Sequence, residues 1–193
     1  MMAWISFALE ARAADDAKAS GEKKEAKSEP SKGGTAKLEG KEAPGVMQAA
    51  IGMKSIDPNT DGPVGDFDLG NFRGRNVVVL AFFRDPKETD SVDELKQLSG
   101  QMSQFKQNGV IIVGISNSPL YREKRLLNRE KVSFPLLGDE NNQVCKSYGV
   151  VENGKVNRTT FIIDKNGKVR KVIDTKDPKK HGQEVLDAVK NLK

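Results

Sequence analysis

The chain has 193 residues, enough for one domain with a core of its own plus a tail, with 36% hydrophobic residues and a net charge of +5. The lysines are scattered, aromatics make up only 6%, and no known nucleic-acid motif occurs, so the excess charge reads as a solvated basic surface and not as a nucleic-acid site. One cysteine, Cys145, excludes an intramolecular disulfide, a cysteine-rich zinc site and a Cys-x-x-Cys redox motif; no metal or cofactor is implied.

Residues 1–14 contain a short apolar run, Trp4–Leu9, followed by Ala11-Arg12-Ala13, which has the small-x-small form of a signal-peptidase site. The favoured reading is the end of a secretory leader and hence an exported, periplasmic protein. The alternative is a disordered N-terminus with a chance apolar patch, in a cytoplasmic protein. The run is too short to span a membrane. Residues 15–45 are rich in Lys, Glu, Ala, Ser and Gly and have almost no large apolar side chains. Such a stretch cannot bury enough surface to offset its ordering entropy, so it is expected to be a disordered, charged linker ahead of a folded domain at 46–193.

Within the domain, residues 46–65 read as irregular, with turn signals at Asp57-Pro58-Asn59 and Asp61-Gly62-Pro63. Asp66–Phe72 alternates weakly. Val77–Phe83 is a continuous apolar, β-branched run, the pattern of a strand buried on both faces. A polar loop, Arg84–Glu94, follows. Leu95, Leu98, Met102 and Phe105 then recur at helical spacing, predicting an amphipathic helix over 91–107 with Ser91 or Asp90 as its N-cap. Val110–Ile115 is a second buried strand, Leu120–Glu130 a charged helix, Ser133–Leu137 a short extended piece and Asn141–Tyr148 a short helix closed by Gly149. Thr159–Asp164 and Val169–Ile173 pair as a hairpin about Asn166-Gly167. Gly182–Leu192 closes the chain as an amphipathic helix, with His181 at its start as a surface or capping residue. The order β-α-β-α-β-β-α predicts an α/β, thioredoxin-like fold: a central mixed sheet flanked by helices, behind a disordered N-terminal tail.

The strand–loop–helix at 77–107 is where α/β proteins place chemistry, because a helix N-terminus offers free N–H groups and a positive dipole end to an anion. Several stretches carry a family resemblance at this point. Asp68-Leu69-Gly70-Asn71-Phe72-Arg73-Gly74-Arg75-Asn76-Val77-Val78-Val79-Leu80 is similar to the opening of the AhpC/TSA peroxiredoxins, and within them to the bacterioferritin-comigratory (PrxQ) group. Gly109–Ser116, Phe134-Pro135-Leu136-Leu137-Gly138-Asp139, Tyr148-Gly149-Val150, Arg158–Asp164 and His181–Leu192 follow in that family's order. The resemblance covers about residues 66–193.

The resemblance implies a thiol-dependent peroxidase: a cysteine thiolate in the first turn of the helix attacks peroxide, becomes a sulfenic acid and is returned by a second thiol, such as that of a thioredoxin-like reductant. It implies monomers or dimers. Carried over, the family's arginine, which favours the ionised sulfur, matches Arg158. The peroxidatic cysteine position matches Ser91, with Glu94 where related chains often have glutamate, Glu88 at the threonine position and Arg84 at the proline position. Thr89 lies nearby, out of register. A serine hydroxyl neither ionises usefully at neutral pH nor has sulfur's two-electron redox chemistry. Three readings stand. The chain is a peroxiredoxin-like protein without the standard peroxidase activity that binds a protein partner or ligand at the old active-site face, through Ser91, Thr89 and Arg158. Or it is a peroxide reductase using Cys145 or a partner's thiol. Or it is a non-catalytic envelope module carried on the 15–45 linker. Cys145 is then either a reactive thiol or a small buried side chain, and Arg158 either polarises a ligand or pairs with a loop carboxylate.

Overall fold

The computed structural model describes residues 35–56 and 64–192. The leader-like segment, most of the charged linker and the turn signals at 57–63 lie outside the described residues.

The apolar runs become the centre of the sheet. β3 (Val77–Phe82) pairs in parallel with β4 (Val110–Ser116), Val77 opposite Val110 and Phe82 opposite Ile115. On its other side it pairs antiparallel with β8 (Thr159–Ile163), which turns back into β9 (Val169–Asp174). Beyond β4 lie β5 (Leu136–Gly138), β1 (Met47–Ile51) and β2 (Val64–Asp68), giving the order β2-β1-β5-β4-β3-β8-β9. The sheet is therefore mixed, as expected, with seven strands among the described residues. A separate small hairpin joins β6 (Val151–Glu152) to β7 (Lys155–Val156) through Asn153 and Gly154, both at positive φ, the geometry of a type I′ turn.

Alternation along β3 divides the core between two faces. Val79 and Ala81 pack with Leu95, Leu98, Phe105, Ile112, Ile162, Val185 and Leu186, beneath α1 (Thr89–Gly100), α2 (Met102–Gln107), α3 (Leu120–Glu130) and α5 (His181–Lys190). Val78, Leu80 and Phe82 face the other way, toward Phe67, Tyr148, Phe161 and Cys145, with α4 (Gln143–Ser147) on that side. Phe82, Tyr148 and Phe161 form a tight aromatic trio, with centroids 4.9–5.6 Å apart.

Three local outcomes differ from the expectations. The helix over 91–107 is two helices, broken at Gln101. It starts earlier than expected, with Glu88 as N-cap; Asp90 and Ser91 lie inside the first turn. Met47–Ile51, read as irregular, is a strand because it is sandwiched between β2 and β5. And the chain is hydrogen-bonded to the sheet before Val46: the Gly40 N–H donates to the Val169 carbonyl, Val169 N–H to Lys41, Ala43 N–H to Gly167, and the Tyr148 hydroxyl to Pro44 at 2.7 Å. Backbone bonds from 40–43, the burial of Ala43 and the packing of Leu38 against the core hold this stretch, interactions that composition does not register.

α5 meets α1 at Gly182. A Cβ there would lie 2.5 Å from the Gln97 carbonyl oxygen, so a side chain would force the two helices apart. Gly182→Ala is expected to cost about 1–3 kcal/mol, read as a lower denaturation midpoint, against near-neutrality for alanine at an exposed site of α5 such as Gln183.

Candidate functional site

The loop between β3 and α1 is fastened at several points. The Lys87 N–H donates to Asp85 Oδ1 (2.8 Å), closing an Asx turn, and the Arg84 guanidinium reaches the Val156 carbonyl at 3.4 Å. α1 then begins, and Ser91 sits in its first turn on the inward face, fully buried. Its Oγ has no hydrogen-bond partner. Thr89, at the outset of the helix, is exposed.

Arg158, in the approach to β8, is largely covered, and its guanidinium makes a 2.7 Å ion pair with Asp90. Of the two readings of Arg158, the pairing with a loop carboxylate is the one seen. The guanidinium that a neighbouring anion would use is thus occupied by the residue preceding Ser91. Beside it lies an open hollow of about 270 Å³ lined by Arg84, Asn157, Arg158, Thr159, Asp174 and Thr175. Ser91 and Thr89 do not line this hollow. Of the expected set, the structure brings together Arg158 and the first turn carrying Ser91, and leaves Thr89 facing solvent.

Behind Ser91, one helical turn on, is a buried polar cluster. Glu94 is fully enclosed; Thr175 Oγ1 donates to its Oε1 at 3.1 Å, and its Oε2 is unpartnered. His181 is also fully buried, so the expectation of a surface or capping residue is overturned. Its Nε2 lies 2.8 Å from Thr160 Oγ1 and 3.3 Å from Glu94 Oε1, and its Nδ1 lies 3.3 Å from Thr175 Oγ1. Burial pushes the Glu94 carboxyl up to about 8 against the lowering effects of Thr175 and Arg158. Burial, helped by the Arg158 charge, pushes His181 down to about 4. At neutral pH the contact is therefore one between two uncharged groups and not an ion pair. The signal for this was in the sequence: the apolar stripe Val185, Leu186, Val189 extended back by one turn lands on His181 and Gly182.

A second buried carboxyl, Glu123, belongs to α3. It accepts from Ser116 Oγ at 2.7 Å, and burial pushes it up to about 8.

Cys145 is remote in character from all of this. It is fully buried in the opposite half of the core, and its N–H donates to Asp139 Oδ2 at 2.7 Å. Burial and the neighbouring Asp139 push its thiol well above the ordinary range. The buried-side-chain reading describes it. The site thus holds no thiolate, and the Ser91 hydroxyl has no base bonded to it, which is what an activated nucleophile requires.

The sheet order, with a polar loop between β3 and α1 and an arginine entering β8, defines a thioredoxin-like α/β domain of the peroxiredoxin type. Residues 40–172 match the AhpC/TSA family, and the chain belongs to it. It is similar to peroxiredoxin Bcp of Escherichia coli K12, 30% identical over 148 residues that cover 72% of this chain and 93% of that one. It is also similar to chloroplastic peroxiredoxin Q of Sedum lineare, 34% identical over 129 residues, 65% of this chain and 69% of that one. Among solved structures, Xanthomonas campestris peroxiredoxin Q superposes with a TM-score of 0.66 at 18% identity, over 76% of this chain and 90% of that one, a likeness of fold. The resemblance to the Bcp and peroxiredoxin Q group is thereby shown. Among the described residues no helix is long and apolar enough to cross a membrane.

Proposed function

We propose that this member of the family does not run a peroxidase cycle and instead binds a partner or ligand at the face where its relatives carry out peroxide chemistry. The observation that carries the reading is the Asp90–Arg158 ion pair beside the buried, unpartnered Ser91 hydroxyl. A carboxylate takes the place beside the arginine that a thiolate would need, and it cannot be oxidised by two electrons to a sulfenic acid. The enclosure of Cys145 supports the same reading, since a thiol without access or ionisation does not react. Arg158 and the hollow beside it then form the binding face, with Thr89 at its exposed rim and Ser91 buried beneath it.

The test is peroxide consumption with dithiothreitol, or thioredoxin and its reductase, as electron donor. The purified chain should consume hydrogen peroxide no faster than its Cys145→Ser variant, and neither faster than the blank. Turnover by the wild type that vanishes in Cys145→Ser would overturn the proposal in favour of a one-cysteine peroxidase.

A further inference from the structure

Away from the Ser91–Arg158 face, folding gathers charges that look scattered along the chain. On α3, Arg122, Arg125 and Arg129 follow at intervals of three and four and so share one side of the helix. Tyr121 stands beside them, 59% exposed. The loop ahead of α1 runs alongside: Arg129 Nη2 donates to the Pro86 carbonyl at 3.1 Å, which ties loop and helix together and brings Lys87 to the same place. Between them is an open hollow of about 260 Å³ walled by Pro86, Lys87, Tyr121, Arg122, Arg125 and Arg129, with buried Leu126 in its lining. Four cations and no carboxylate line it.

Little of that charge is neutralised. Arg129 pairs with Glu130 at 2.6 Å, but Glu130 also serves Lys96. Asp85 lies close enough to Arg122 to act on its charge. Among the described residues, Lys87 and Arg125 make no ion pair. Like charges packed into one recess repel unless an anion joins them.

We infer that this hollow is a docking site for an acidic segment of a partner protein, a stretch bearing closely spaced Asp or Glu side chains. Guanidinium forks match carboxylates bidentately, and the exposed phenol ring supplies an apolar contact with a polar tip. The hollow falls below the usual small-molecule range of about 300–1,000 Å³ and suits a few side chains better than a whole ligand. Asp85, which acts on Arg122, and Glu130, which pairs with Arg129, stand at its edge. A continuous phosphate backbone would be repelled by them, whereas a peptide can space its carboxylates between them. The inference goes beyond the proposed function and does not depend on it, because it uses neither Ser91 nor Arg158.

The experiment is fluorescence anisotropy of labelled hexaglutamate titrated with the full chain at low salt. The wild type should bind, and Lys87→Glu/Arg125→Glu should weaken binding at least tenfold. Lys168→Glu/Lys171→Glu, which makes the same charge change on the β8–β9 turn and the edge strand, should alter it less than twofold. The milder Lys87→Gln/Arg125→Gln pair should fall in between, which separates loss of the site from loss of the fold. No binding by the wild type, or equal losses in both Glu pairs, would overturn the site. Tighter binding of a hexathymidylate than of hexaglutamate would overturn the occupant and assign the hollow to nucleic acid.

Discussion

Raising the pH from about 6 to about 9 is expected to cost this protein several kcal/mol of unfolding free energy, an unusual direction for a domain with many exposed carboxylates. Two buried groups produce it. Glu94 and Glu123 each keep a proton in the folded state up to about 8, against an ordinary value of 4.5. Between those values the native state holds more protons than the unfolded state, so stability falls as pH rises and is lost through about 8. At roughly 1.4 kcal/mol per pH unit for each proton, the two carboxyls together lose on the order of 5 kcal/mol across this range. His181 acts at the other end: its folded value of about 4, against 6.5, means that stability is lost as pH falls through that interval. Urea midpoints at pH 6, 7, 8 and 9 give the slope. Glu94→Gln and Glu123→Gln should each remove about half of it, and the double variant should be nearly flat over this range. A double variant as steep as the wild type would show that neither carboxyl is the source.

The second large effect concerns sulfur restored at position 91. Ser91→Cys alone should give a poor nucleophile. The site is fully buried, and the neighbouring guanidinium is already paired at 2.7 Å, so the new thiol should titrate above the free value of about 8.5. Asp90→Asn/Ser91→Cys releases Arg158 to act on the sulfur. An opposite charge brought within about 4–6 Å lowers a pKa by about 1–3 units, so a double variant in which the freed guanidinium turns to the sulfur should hold at least about tenfold more thiolate at pH 7 and consume peroxide correspondingly faster. Absorbance at 240 nm against pH reads the first effect, and peroxide loss reads the second. Asp93→Asn/Ser91→Cys removes a carboxylate not paired with the arginine and serves as the comparison. Equal rates in the two double variants would exclude Asp90 as the group that holds Arg158 away from chemistry.

What the sequence made legible was whatever depends on near neighbours. The runs at 77–83 and 110–115 announced central strands because a doubly buried strand is apolar at every position. Leu120–Glu130 is a helix over the same residues its pattern predicts, and Asn166-Gly167 turns its hairpin; the same dipeptide at 153–154 turns a second, smaller one. What escaped was decided at long range. Met47–Ile51 is half polar and becomes a strand only between two partners. The enclosure of His181 follows from α5 closing on α1 at Gly182, and the pairing of Arg158 with Asp90 from a loop geometry that no local pattern specifies. At the site, residue identities were visible in the chain, while their partners and protonation states required the fold.

The backbone bonds from Gly40, Lys41 and Ala43 to the Gly167–Val169 stretch have a consequence for how the molecule avoids its own kind. They cover the start of β9, the outermost strand on that flank, and Glu39 adds a side-chain acceptor for the Val172 N–H at 2.9 Å. A chain clipped after residue 45 would keep most of its core, losing Ala43 and the packing of Leu38, yet bare backbone donors and acceptors along β9, an invitation to sheet-to-sheet stacking between copies. The few residues ahead of the sheet therefore serve as a selvedge, finishing a border that would otherwise unravel into aggregation.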